Sequence, residues 1–144
     1  MRAGDLTALS SPVAHDLLAS RIPARVGYLT RSGEVRVVPL WFHWNGTDLV
    51  MATFAGSPKL GHLGTGDRLA VSIDGEAFPY RALQMRGAVT VTPHAGVVPE
   101  YLLAARRYLG DTDGEAFVAG INPPPVMTRI ALRPDWARAM DMRD

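Results

Sequence analysis

One lysine, Lys59, stands among fourteen arginines, and it directly follows Gly56-Ser57-Pro58. A serine that caps a helix and a proline in its first turn leave backbone N–H groups aimed outward, at the positive end of the helix dipole. A flexible ammonium beside them completes a phosphate-binding arrangement. The spacing therefore predicts a short helix over 57–63 whose start, Ser57, Pro58 and Lys59, holds a phosphate. The same grammar also fits a capped surface helix with a solvated lysine. The neighbours favour the phosphate: Thr53 ends the preceding strand, and Arg81 opens a later strand expected nearby.

Other chemistries find less support. The four histidines, His15, His43, His62 and His94, fall into no metal-ligand spacing, and the chain has no cysteine. Neither a thiolate metal site, a disulfide nor a thiol nucleophile is therefore expected. No G-x-S-x-G elbow, dinucleotide glycine fingerprint or Walker loop occurs. No catalytic side chain and no metal ligand is assigned. Trp41, Phe42 and Trp44 crowd next to Pro39. They read either as packing or as a wall for a flat ring, with the backbone of Val38 and Leu40 meeting the ring edge. Phe78 and Tyr80 are candidates to line the same cavity. Arg36, Arg81 and Arg86, inside strands, are candidate anion contacts.

The chain must supply elements that place these residues. Its 144 residues predict one domain with one core. A formal net charge of +1 gives no field suited to nucleic acid or an anionic membrane. No signal pattern and no membrane-spanning apolar run is seen, so a cytoplasmic protein is expected. The preference for arginine, alanine, glycine and proline suggests a GC-rich bacterial source.

Ser11-Pro12 opens a helix expected over about 11–21. Strands are expected over 25–30, 35–44, 49–54, 68–74, 80–92 and 126–132, joined by turns at Arg31-Ser32-Gly33-Glu34, Asn45-Gly46 and 75–79. Pro39 marks an edge or bulge and Gly87 a bend. Helical spacing of Val98, Tyr101, Leu102, Ala105 and Tyr108 predicts a helix over 97–109, with a second over 115–119. Asn122-Pro123-Pro124-Pro125 is an extended connector. About six strands in near-continuous meander predict a mainly β protein, an antiparallel barrel with short helices.

The run Arg36-Val37-Val38-Pro39-Leu40-Trp41-Phe42, then Asn45-Gly46, Met51-Ala52-Thr53 and Gly56-Ser57-Pro58-Lys59, resembles the pyridoxamine 5'-phosphate oxidase-like superfamily. Within it the chain looks most like the flavin and deazaflavin-dependent oxidoreductases common in actinobacteria. Arg68 to Ser72 and Arg81 to Val89 continue the likeness, which covers about Arg25 to Pro93. The resemblance implies a split β-barrel of the FMN-binding-protein type, core about 25–133 with a helical insertion about 97–120. It also implies a homodimer with the cofactor between subunits. Val38, Pro39 and Leu40 would then meet the ring, while Thr53, Ser57, Pro58, Lys59 and Arg81 would hold the phosphate end. Trp41, Phe78 and Tyr80 would shape the substrate pocket. FMN-type oxidases usually carry Ser-Arg-Lys where this chain has Ser57-Pro58-Lys59, and often a glutamine where it has Ala82. Both departures point to F420 as cofactor and to hydride transfer from a reduced deazaflavin to a small unsaturated substrate. FMN is the alternative, and a non-catalytic flavin or haem-like ligand binder the second.

Overall fold

The computed structural model describes residues 5–58, 60, 62–121 and 123–143; Lys59, Gly61 and Asn122 lie outside them. The strands are β1 Ala24–Leu29, β2 Val35–Leu40, β3 His43–Trp44, β4 Leu49–Phe54, β5 Arg68–Asp74, β6 Arg81–Ala95 and β7 Val126–Asp141. The helices are α1 Pro12–Leu18, α2 Pro99–Leu109 and α3 Asp111–Ala119, with a 3-10 turn Leu6–Ser10 before them. All strands join one antiparallel sheet in the order β2-β1-β5-β6-β7-β4-β3.

Alternation sets which face is inside. Ala24, Val26 and Tyr28 of β1 are buried, as are Leu69, Val71 and Ile73 of β5. They meet Leu83, Met85 and Val89 of β6, Ile130 and Leu132 of β7, and Leu17 of α1 in a single core. Burying each such side chain contributes roughly 1.5–3 kcal/mol. The two outer strands of the sheet, β2 and β3, are consecutive in the chain, joined only by Trp41-Phe42. Two residues reach no further than about 11 Å from Leu40 to His43. The sheet must therefore roll until its edges nearly meet, without closing: a split barrel.

Several expectations hold. Ser11 caps α1, accepting a hydrogen bond from the Ala14 N–H through Oγ. Asn45 Oδ1 accepts from the Thr47 and Asp48 N–H groups, and Gly46 takes φ 97°. Pro39 does lie on an edge strand, and the β6–β7 register does slip between Arg86 and Gly87.

Others are corrected. The expected strand over 35–44 is two strands with different neighbours: β2 pairs with β1, β3 with β4. Phe42 leaves the ladder between them to enter the core. The expected helix at 57–63 does not form; no described residue of that segment is helical. Gly56 takes φ 80° and Leu60 φ 57°, both outside helical geometry, and Leu60 is buried. The division of the 35–44 strand makes seven strands instead of six, and the last strand runs on to Asp141 rather than ending at Leu132. Pro134 is tolerated because it faces the slipped position at Gly87. The first helix stops at Leu18, the second starts at Pro99, and the third starts at Asp111.

Candidate functional site

The β2 end and the β4 end border the split. Leu40 and Thr53 each lie three residues from the paired His43 and Val50, so each sits within about 11 Å of that pair. As an edge strand, β2 carries one row of backbone N–H and C=O groups with no strand beside it. Val38 and Leu40 are half-buried against the core, while Pro39 is exposed. Thr53 is 8 % exposed, the one buried polar residue among those described. Beyond it the chain turns sharply: the Ser57 N–H donates to the Phe54 carbonyl, and the Ala55 N–H to Val126. Ser57 is half-buried and Pro58 exposed. Lys59 lies outside the described residues.

Arg81 is not brought to this group within one copy. Thr53 pairs with Thr128 near the start of β7, whereas Arg81 pairs with Asp141 at its far end. There the Arg81 guanidinium donates to Asp16 of α1. Among the other strand arginines, Arg36 pairs with Glu34 and Arg86 lies 4.1 Å over the Trp136 ring.

Trp41 anchors an aromatic cluster that the sequence showed only in part. Its ring stacks on Tyr108 at 5.1 Å and meets Tyr101 and Phe117, each at 5.6 Å. The partners come from α2 and α3, which fold over the strand link. Helical spacing of Tyr101 and Tyr108 was the available signal. Phe78 and Tyr80 pack edge to face with each other, 75 % and 48 % exposed, on the β5–β6 turn. They share no ring contact with Trp41.

Two further regions stand out. On the outer face, the cross-strand row Val37, Gly27, Ala70, Arg86, Trp136 forms the floor and walls of a groove of about 520 Å³. A pocket of about 450 Å³ lies between α1, β3 and α2. Among its lining residues, burial and the nearby Arg107 charge hold His43 below the usual histidine range. Glu100, engaged by Arg129, is held below the usual carboxylate range. Among the described residues, no group of three or more carboxylate, thiol or imidazole side chains is placed to hold a metal ion. Nor is any helix long and apolar enough to cross a membrane.

No protein-family model and no curated protein matches the chain. Solved structures do. An F420 reductase aligns over 85 % of this chain and 93 % of its own, with TM-score 0.61 and 23 % identity. An FAD- and haem-binding protein from Mycobacterium smegmatis aligns over 91 % and 71 %, with TM-score 0.62 and 22 % identity. A putative pyridoxamine 5'-phosphate oxidase from Listeria innocua aligns over 86 % and 92 %, with TM-score 0.57 and 12 % identity. The chain shares the fold of these proteins, a seven-stranded antiparallel split barrel.

Proposed function

We propose that this protein is an oxidoreductase that holds a flavin-type cofactor, F420 in preference to FMN, along the split of its barrel. The observation that carries this is the buried threonine Thr53 at the end of β4, beside an edge strand, β2, whose outer row of peptide groups has no strand neighbour. Those are donors and acceptors suited to a ring edge and a phosphate. The likeness to an F420 reductase over most of both chains supports the same reading.

In this reading β2 presents peptide groups of Val38 to Leu40 to the ring edge, and Pro39 removes one donor from that row. Thr53 and Ser57 donate hydroxyls toward the phosphate, and Lys59 adds a full charge. Trp41, braced by Tyr108 behind it, limits how far a flat substrate can slide. When bound, the cofactor supplies the hydride chemistry. The protein excludes water and sets the angle of approach. Arg81, remote within one copy, reaches such a site only from a second copy, which agrees with a cofactor seated between subunits.

The test is the absorbance and mass of whatever copurifies, followed by titration with F420 and with FMN. F420 is expected to bind tighter. Tight FMN binding with no F420 binding would reverse the cofactor assignment, and binding of neither would remove the oxidoreductase reading. Lys59→Ala should weaken cofactor binding by about 1–3 kcal/mol, the worth of a charged hydrogen bond.

A further inference from the structure

We propose that the pocket between α1, β3 and α2 is a second binding site, for a small carboxylate with an apolar body. Arg107 is the main reason. Eight arginines hold a carboxylate within ion-pair distance. Arg107 holds none among the described residues. Its Nε donates to the Ser20 carbonyl at 2.8 Å and its Nη2 to the Phe42 carbonyl at 2.5 Å. Its guanidinium lies 4.5 Å over the Phe42 ring and 4.7 Å over Tyr108.

These contacts fix the fork in place and leave its charge uncompensated. A guanidinium has five N–H donors, so several remain for a ligand. A half-buried cation without a counter-ion is costly, and an anion that docks against it recovers that cost.

The rest of the lining supplies the second half of the recognition. Leu18, Leu103 and Trp44 contribute apolar lining, and His15 and His43 line the same pocket as further polar groups. A volume of about 450 Å³ falls in the range of small-molecule sites. His15 and Trp44 also line a neighbouring groove of about 480 Å³ that includes Leu9 and Thr47. None of Val38, Pro39, Leu40, Thr53, Ser57 or Pro58 lines either space. The proposal therefore stands whether or not the cofactor assignment does.

His43 reports occupancy. It is faced by Arg107 and Glu100 of α2, and the Glu100 charge is engaged by Arg129 of β7. His15 of α1 shares its pocket. A carboxylate arriving beside His43 favours its protonated form, so its pKa must rise on binding.

The experiment compares 4-phenylbutyrate with 4-phenyl-1-butanol by calorimetry, and follows the His43 ring by NMR across pH. His43→Gln assigns the signal. The acid should bind at least about tenfold tighter than the alcohol, a difference of about 1.4 kcal/mol. It should raise the His43 pKa, while the alcohol should not. Arg107→Gln should erase the acid's advantage, but it also cuts ties to Ser20 and Phe42. Leu103→Trp, at an exposed rim position without a hydrogen-bonding role, keeps the test independent of that. It should fill the pocket and lower affinity for the acid about tenfold or more. Equal binding of acid and alcohol, no binding of either, an unmoved His43, or an indifferent Leu103→Trp would each overturn the proposal.

Discussion

Gly87 of β6 lies tight against the β7 backbone, beside the register slip. A Cβ built there would lie 2.0 Å from the Arg133 carbonyl oxygen and 2.8 Å from its carbon. Both are backbone atoms, so neither can swing aside. Gly87→Ala should cost about 2–3 kcal/mol in urea unfolding, an overpacking penalty. Gly75→Ala, with nothing within 4 Å of its added Cβ, should stay within about 0.5 kcal/mol of the parent. Equal losses would mean that the bulge is not the tight point. Glu100 offers a residue-scale prediction in pH. The Arg129 hydrogen bond at 2.9 Å depresses its pKa below 4.5. A depressed carboxylate adds stability above its unfolded pKa and loses it as pH falls through the folded one. Unfolding measured from pH 6 down to pH 3 should therefore show stability falling below about pH 4.5. Glu100→Gln should be less stable at pH 6 and should flatten that acid limb. An unchanged slope would assign the limb to other carboxylates.

At the scale of elements, α2 and α3 close over the Trp41-Phe42 link. Gly110 takes φ 93° and lets the chain reverse between them. Gly114 then lets α3 settle on α2: a Cβ there would lie 2.6 Å from the Ala105 carbonyl carbon. Gly114→Ala should push α3 outward and carry Phe117 off Trp41. The expected signature is a weakened near-ultraviolet dichroism of the aromatic cluster, with about 2 kcal/mol lost in stability. A preserved spectrum would place the helix contact elsewhere. Much of this layer was legible in the sequence. The β-branched run at 49–54, the alternation at 68–74 and the Ser11-Pro12 cap each point to one local structure, because burial and capping agree there. The misses share a cause. The 57–63 segment has helix-start grammar, but Leu60 is pulled into the core at a positive φ, a tertiary demand that overrides local preference. β7 runs through Pro134 only because the register slips opposite Gly87, a fact held by two distant segments together. Arg107 was invisible for the same reason, since its partners Ser20 and Phe42 lie far along the chain.

At the scale of the whole molecule, the outer face of β1, β2 and β5 is the feature that one copy leaves unexplained. Leu29, Val35 and Val37 are 61 %, 78 % and 66 % exposed on neighbouring strands. They flank the groove floored by Gly27 and Ala70 and walled by Trp136. Contiguous exposed apolar surface of this kind marks an interaction site. A second copy of the chain is the proposed occupant, resting on the proposed function, in which residues of two copies meet at the cofactor. In that reading Arg81 would come from the second copy, since its own strand register carries it away from Thr53. Val37 is 66 % exposed, so Val37→Glu should leave folding within about 0.5 kcal/mol of the parent. It should bury a charge in any interface formed there, which a dimer tolerates poorly. Sedimentation should show the parent as a dimer and Val37→Glu as a monomer at the same concentration. Cofactor affinity should fall with the dimer even though Val38 to Leu40, Thr53 and Ser57 are untouched. A parent that sediments as a monomer would remove the second copy. A Val37→Glu monomer that binds cofactor as the parent does would confine the site to one chain.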